Sequence, residues 1–245
     1  MFNNGSLINR LRGLGIVLGL IGIAFMAVGA FSAFKVQEGT ASLKAFSAAQ
    51  GVELTYNADG QLTDRGEVAG AQGIMALLTD DWGYPVASGD MDPNDPVVNT
   101  ASEYMFQMAT IAYHTLNSVQ TVVLTEDVEY NGELFAAGEY EFAIAGRYWN
   151  DFDREHPIEG IAREQAWTGT AHALIGQLGV GTVTASALTL GLGLAALFAG
   201  VGATFMLTGA GLVWATRPAR VPVPVLRPTA ATAPTGPAPA IEGAS

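Results

Sequence analysis

The chain has 245 residues and no cysteine, 49% of its residues are hydrophobic, and its formal net charge at pH 7 is −12. The lack of cysteine excludes disulfide bonds, thiol catalysis and cysteine-ligated metal sites. The acidic balance argues against nucleic acid as a partner, because a polyanion is repelled by a negatively charged surface. No phosphate loop, dinucleotide fingerprint or seryl nucleophile elbow is present, so we expect no cofactor.

The charges are distributed very unevenly along the chain. Residues 35–170 contain 22 of the 23 acidic residues and six basic ones, which gives this segment a net charge of −16. The two ends together carry five arginines and one glutamate, a net charge of +4. This pattern predicts one acidic domain between two ends that face a different compartment.

The first uncharged run, Leu14–Phe34, has 21 residues, close to the ~20 that a membrane-spanning helix needs. Arg10 and Arg12 precede it and Lys35 follows it. A cleavable signal peptide is the alternative, since the small residues 28–30 resemble a cleavage site. The run is longer than the usual hydrophobic core of a signal peptide, which favours an uncleaved anchor.

The segment after this run mixes helical and extended patterns. Gln37–Gln50 is predicted to continue the first membrane helix outward. Alternation of polar and apolar residues over Val52–Asn57 predicts a strand that enters a hairpin, with Gln61–Asp64 as the returning strand. Glu67–Thr79 has the pattern of a helix, and Asp80–Asn99 is predicted to be a long loop.

A capping box at Thr100 and Glu103 predicts the start of a helix that runs to about Ser118. Its apolar stripe is expected to consist of Met105, Met108, Ala112 and Leu116. His114 lies in helical spacing with Glu103, so both are expected on the polar face of this helix.

The second half of the acidic segment has the clearest β pattern. Turn signals at Asn131–Gly132 and Ala137–Gly138 divide Gln120–Ala145 into a predicted three-stranded antiparallel meander. A final helix is expected to begin near Ile158–Ile161 and to lead through Trp167 toward the membrane. Together these elements predict an α+β domain with a short meander and several helices.

The second uncharged run, Gln177–Thr216, is followed by Arg217, so basic residues flank the outer end of both runs and both termini are expected in the cytoplasm. Two crossings joined by a turn near Gly200–Gly202 are a less favoured alternative. The predicted division is a cytoplasmic N-terminus (1–13), transmembrane helix 1 (14–34), an acidic extracytoplasmic domain (35–170), a helical stem (171–187), transmembrane helix 2 (188–214) and a disordered proline-rich cytoplasmic tail (215–245).

Small residues recur on both predicted spans and allow membrane helices to approach closely. They are Gly15, Gly19 and Gly22 on the first span and Gly191, Ala195 and Gly202 on the second. We expect the two spans of one chain to pack against each other through these positions.

Two acidic clusters contain residue types that can bind a metal ion. Residues 90–95 resemble the start of a calcium loop but lack the glycine and glutamate of an EF-hand, so an Asx/Pro turn is favoured. The densest titratable cluster is Asp151, Asp153, Glu155 and His156. Carboxylates with a histidine can bind a metal or transfer protons, but this spacing matches no zinc motif. A solvated turn that caps the following helix is therefore favoured over a metal or catalytic site.

Three segments carry a resemblance to a known group: Gly60–Gly66, Ala76–Trp82 and Arg147–Pro157. They resemble segments of actinobacterial two-span membrane proteins of unknown function. The resemblance implies a membrane location and carries over no functional residue. Some related small membrane proteins bear a ring-opening-dioxygenase label, but no triad of two histidines and a carboxylate is recognisable here.

These observations predict a membrane-anchored, extracytoplasmic accessory or interaction protein of the cell envelope. Its expected partners are the lipid bilayer of the plasma membrane and other envelope proteins. A metal-binding or metal-dependent enzymatic domain built on His156 and its acidic neighbours is the alternative. A sensor that couples the domain to the tail is a third, weaker hypothesis.

Overall fold

Two helices of 47 residues, α1 (Asn4–Gln50) and α5 (Gly169–Ala215), flank all other elements of this computed structural model, which describes residues 4–217. The elements between them are β1 (Thr55–Tyr56), β2 (Leu62–Thr63), α2 (Val68–Ala76), a π-helical turn (Leu77–Asp81), α3 (Ala101–Leu116), β3 (Val119–Leu124), β4 (Val128–Tyr130), β5 (Glu133–Phe135), β6 (Gly138–Ala143) and α4 (Glu159–Ala166). The mixed helix and strand architecture is confirmed. Most of the predicted proline-rich tail lies outside the described residues.

Both long helices are apolar and long enough to cross a membrane. Each is about 70 Å long at 1.5 Å per residue, more than twice the ~30 Å of a bilayer core. α1 continues without a break from the first uncharged run to Gln50, as the pattern of Gln37–Gln50 predicts. α5 is unbroken at Gly200–Gly202, so the alternative of two short crossings joined by a turn is wrong.

The backbones of α1 and α5 meet at glycines that recur every seven residues. A Cβ atom built on Gly15 would lie 2.8 Å from the carbonyl oxygen of Gly209. One built on Gly22 would lie 2.7 Å from the carbonyl oxygen of Gly202. The helices therefore run antiparallel, and the seven-residue period is that of a left-handed coiled pair.

The contact continues along the pair with Gly29, whose added Cβ would lie 2.9 Å from the carbonyl oxygen of Ala195. Gly191 gives space to the side chain of Val36, 2.9 Å from the position of its missing Cβ. At Gly19 the Cβ direction is open, with no atom within 4 Å. Gly19 still contributes its backbone, because a Cβ on Gly209 would lie 2.8 Å from the Gly19 nitrogen.

Gly22→Ala should lower the melting temperature of the full chain in detergent, because the methyl group meets the Gly202 carbonyl at 2.7 Å. Overpacking of this kind costs about 1–3 kcal/mol. Gly19→Ala is the matched control on the same helix, and there alanine should stabilise by roughly 0.5–1 kcal/mol through helix propensity. Equal melting temperatures for the two variants would contradict the packing role of Gly22.

The first predicted hairpin is present, with Thr55 opposite Thr63 and Tyr56 opposite Leu62. Gly60 adopts the positive φ of 74° that its turn requires. α2 follows where a helix is expected and ends in the π-helical turn, which buries Leu77 and Leu78 in the core. The largest fully buried apolar residues are Ile74, Leu78, Val98, Val122 and Ile144.

The predicted capping box of α3 is present: Thr100 accepts from the Glu103 backbone, and the Glu103 carboxylate accepts from the Thr100 backbone at 2.8 Å. The expectation that Glu103 faces solvent is wrong, because it is 1% exposed. Burial raises the pKa of its carboxyl group against the opposing effect of these hydrogen bonds. Of the predicted apolar stripe, Ala112 and Leu116 are buried, whereas Met105 and Met108 are partly exposed.

The predicted three-stranded meander is wrong, since β3–β6 form one long interrupted hairpin. β3 pairs with β6 and β4 pairs with β5. Asn131 and Gly132, with φ of 52° and 81°, form the tight turn at its tip. The second turn signal does not reverse the chain: the Ala137 N–H donates to the Asp127 carboxylate at 2.7 Å and the strand continues from Gly138.

The predicted final helix is two helices. α4 ends at Ala166, and Trp167 has a non-helical ψ of 61°. Thr168 then caps α5, its hydroxyl accepting from the Ala171 N–H at 3.1 Å. This N-cap signal, a threonine followed by glycine, separates the central domain (residues 51–168) from the long helix.

Tyr104 of α3 joins the central domain to the pair of long helices. Its hydroxyl lies 2.7 Å from the Ser47 hydroxyl of α1, and both side chains are buried. Its ring occupies the space left by Gly181 of α5, where an added Cβ would lie 2.6 Å from a ring carbon. One side chain therefore contacts both long helices. The salt bridge between Lys44 and Asp95, at 2.6 Å, adds a second connection on the surface.

Gly181→Ala should displace the Tyr104 ring and destabilise the protein by about 1–3 kcal/mol. Gly176→Ala is the matched control, five residues earlier on α5 with no atom within 4 Å of the added Cβ. Thermal denaturation followed by circular dichroism measures both. A Gly181→Ala protein as stable as the control would show that Tyr104 is not held as described.

Candidate functional site

His156, the histidine of the predicted metal cluster, caps helix α4. Its Nδ1 accepts hydrogen bonds from the N–H groups of Ile158 and Glu159 at 3.1 and 3.2 Å. The ring also contacts Tyr130 and Phe135 edge-on, with centroids 5.4 and 4.9 Å apart. The side chain thus joins the tip of the long hairpin to α4, and one of its nitrogens is already used as an acceptor.

The carboxylates of this cluster accept hydrogen bonds from separate donors. Asp153 accepts from the Tyr130 hydroxyl at 2.6 Å and from the Glu155 N–H at 3.0 Å. These two bonds hold the pKa of Asp153 below its usual value, and the bond from Tyr130 has the larger effect. The bond between Tyr130 and Asp153 also raises the pKa of Tyr130. Asp151 accepts from the Tyr148 N–H at 2.8 Å. Asp151 and Asp153 therefore each accept a backbone N–H of a local turn, and Asp153 also binds the hairpin through Tyr130.

Within residues 4–217, no three histidine, aspartate or glutamate side chains lie in an arrangement that could hold a metal ion. The calcium-like segment forms a turn in which Asp92 accepts from the Asn94 N–H at 2.8 Å. His114 lies 3.0 Å from Asp64, and His172 stacks on Trp167, so each histidine belongs to a different cluster. This geometry offers no support to the metal-dependent alternative.

His156→Ala should destabilise the protein by about 1 kcal/mol, the typical cost of losing a helix cap. His156→Asn should restore part of this, because its side-chain oxygen can accept the same N–H groups. Urea denaturation followed by circular dichroism distinguishes them. A stoichiometric metal that co-purifies with the natural chain and disappears in His156→Ala would instead favour the metal site.

A cavity of about 440 Å³ lies where the central domain meets α5, and we name it the aromatic pocket. Three of the four tryptophans of the chain line it. Its lining residues are Trp82, Met108, Ala112, Tyr148, Trp149, Asn150, Trp167, His172 and Ile175. None of these lining residues is an aspartate, glutamate, lysine or arginine. The volume is in the range of ligand-binding cavities, roughly 300–1,000 Å³.

The rings of the pocket contact one another in a continuous wall. Tyr148 stacks on Trp167 with centroids 5.8 Å apart, and Trp167 stacks on His172 at 5.9 Å. Trp149 meets His172 edge-to-face at 5.1 Å. These offset-stacked and perpendicular arrangements are the favourable geometries of aromatic pairs.

Hydrogen bonds fix the orientation of this wall. The Trp82 indole donates to the Tyr148 hydroxyl at 2.8 Å, and the Trp167 indole donates to the Arg147 carbonyl at 3.2 Å. Both indole N–H groups are therefore satisfied within the protein. The pocket accordingly offers ring surfaces, with few polar atoms, to an incoming molecule.

Arg163 supports the wall from α4. Its guanidinium carbon lies 3.9 Å from the centroid of the Trp149 ring, and the residue is 7% exposed. One of its nitrogens contacts Glu164 at 3.3 Å, while Nε and Nη1 have no hydrogen-bond partner within residues 4–217. The π face of Trp149 therefore contributes a cation–π attraction to this buried charge.

The sequence contains no local signal for this pocket. The sequence pattern places Trp82 in a loop and Trp167 within the predicted final helix, and 66 residues separate Trp82 from its hydrogen-bond partner Tyr148. His172 lies beside Trp167, as its position along the chain indicates. Aromatic residues at irregular spacing come together only through the packing of α3, α5 and the loop before α4.

Searches against family models, curated proteins and solved structures find no significant match to this chain. The resemblance to actinobacterial two-span membrane proteins therefore stays a prediction.

Proposed function

We propose that this protein is a membrane-anchored accessory module of the cell envelope that acts by binding, with the aromatic pocket as its recognition site. The observation that carries the proposal is a ligand-sized cavity walled by hydrogen-bonded aromatic rings. A cavity of this kind, apolar with few polar atoms, is typical of binding sites. The acidic cluster near His156 is used for local capping and supplies no comparable site.

The charge distribution supports an orientation for the anchor. Arg10 and Arg12 precede the apolar part of α1, and Arg217 follows α5. By the positive-inside rule both ends belong in the cytoplasm and the central domain outside the plasma membrane. The net charge of −16 on residues 35–170 is compatible with that placement and disfavours nucleic acid as a partner.

The packing of the long helices supports a role in rigid presentation. α1 and α5 contact each other from Gly15 to Gly39, and beyond that Tyr104 of α3 contacts both Ser47 of α1 and Gly181 of α5. The pocket lies about 25 Å beyond Gly191 along α5, at 1.5 Å per residue. Under the proposed orientation the site stands at a fixed height above the bilayer surface, within reach of soluble molecules and envelope components.

Single cysteines test the orientation cleanly, because the natural chain has none. In intact cells a membrane-impermeant maleimide should label Leu134→Cys, at a position 65% exposed on the long hairpin. It should label Ser245→Cys, at the C-terminus, only after the cells are opened. Labelling in the reverse order would show that the domain faces the cytoplasm and would refute this function.

A further inference from the structure

We propose that the aromatic pocket binds a quaternary ammonium group, that is, an organic cation without N–H donors. The inference rests on the proposed function only in taking this pocket as the recognition site, and it adds the chemical class of the ligand. Aromatic faces attract cations because the ring quadrupole places negative charge above and below the ring plane. Tryptophan is the strongest of these rings, and the pocket contains three.

The wall supplies several such rings at once. Tyr148, Trp167 and His172 form one stack with centroid separations of 5.8 and 5.9 Å, and Trp149 stands perpendicular to His172. Rings in two orientations surround a methylated ammonium group better than one flat surface does. Met108 and Ala112 on α3 complete the cavity with small or polarisable apolar groups that can contact methyl groups.

Charge on the surrounding domain favours a cation over an anion. None of the described lining residues is lysine or arginine, although the Arg163 guanidinium contacts the ring of Trp149 at 3.9 Å. Asp81 precedes Trp82 directly, and Asp151 accepts from the Tyr148 N–H at 2.8 Å, so carboxylates adjoin the wall without entering the cavity. The net charge of −16 on residues 35–170 raises the local concentration of cations further.

The shortage of acceptors inside the cavity distinguishes among cations. A primary ammonium group carries three N–H donors that lose hydrogen bonds to water when it is buried. The pocket offers no carboxylate, and two of its three indoles already donate to Tyr148 and to the Arg147 carbonyl. A trimethylammonium group has no donor to satisfy, so its burial against rings and methyl groups carries no such cost.

One ring of the site already binds a cation in this way. The Arg163 guanidinium lies 3.9 Å from the centroid of Trp149 and forms an ion pair with the exposed carboxylate of Glu164. Arg163 itself is not among the residues that line the cavity. The cavity of about 440 Å³ is larger than a trimethylammonium group alone, which leaves room for part of an attached organic chain.

The test uses the purified full chain in a non-ionic detergent and measures tryptophan fluorescence, since three of four tryptophans line the pocket. Choline is compared with 3,3-dimethylbutan-1-ol, its neutral analogue of nearly the same shape. Choline should saturate the signal and bind roughly three- to thirty-fold more tightly than the neutral alcohol, the range that cation–π attraction provides. Ethanolamine, a primary ammonium of similar length, should bind more weakly than choline.

Two variants locate the effect. Trp149→Leu should reduce the preference for choline over the alcohol, and Trp149→Phe should keep part of it. If Trp149→Leu does not fold, Met108→Trp remains informative: it fills the cavity from α3 and should abolish choline binding, measured by calorimetry, while leaving the aromatic wall intact.

Several outcomes would overturn the assignment. Equal affinity for choline and its neutral analogue would make the pocket merely apolar. Tighter binding of ethanolamine would indicate an acceptor that the cavity does not contain, and no saturable binding of choline would refute the site. Binding of choline by the purified protein does not depend on orientation in the membrane. Failure of the cysteine-labelling experiment therefore does not affect the choline result.

Discussion

The close contact between the backbones of α1 and α5 is the constraint on which the rest of the structure depends. Glycines at seven-residue intervals remove the side chains that would keep the helices apart, as at Gly15 with Gly209 and Gly22 with Gly202. Such contacts also fix the register, because a shift along either helix would place a side chain against a backbone. In a bilayer, where lipid supplies no hydrophobic drive, close packing of this kind is the main source of helix association.

This register determines how the central domain is held. Because the helices are in fixed alignment, Ser47 of α1 and Gly181 of α5 lie together at the far end of the pair, and Tyr104 fits between them. Tyr104 positions α3, which places Met108 and Ala112 beside the first turns of α5. The aromatic pocket is therefore a consequence of the same helix packing that would anchor the protein, rather than a feature of the domain alone.

The chemistry of the pocket follows from how its rings satisfy one another. Indole N–H groups of Trp82 and Trp167 donate to neighbouring protein atoms, and the Arg163 guanidinium stacks on the ring of Trp149. Under the proposed function, rings held in this way are ordered before a ligand binds, which reduces the entropic cost of binding. By contrast, the acceptor atoms of His156 and Asp153 are already hydrogen-bonded in turns and caps. This dense group of titratable residues therefore has a structural role.

Features that depend on residues close together in the chain were determined by the sequence itself. The uncharged runs, the capping box at Thr100 and the tight turn at Asn131–Gly132 all follow from local composition and backbone preference. The turn predicted at Ala137–Gly138 is wrong because the side chain of Asp127, ten residues away, accepts from the Ala137 N–H and the strand continues.

Tertiary structure alone decided which distant residues meet. It buried Glu103 under the loop that its own carboxylate caps, and it brought Trp82 to Tyr148 across 66 residues. It also paired Gly22 with Gly202, although each glycine by itself is ordinary in an apolar helix. Capping and turn preferences act over a few residues, whereas these contacts exist only when two 47-residue helices pack in one register.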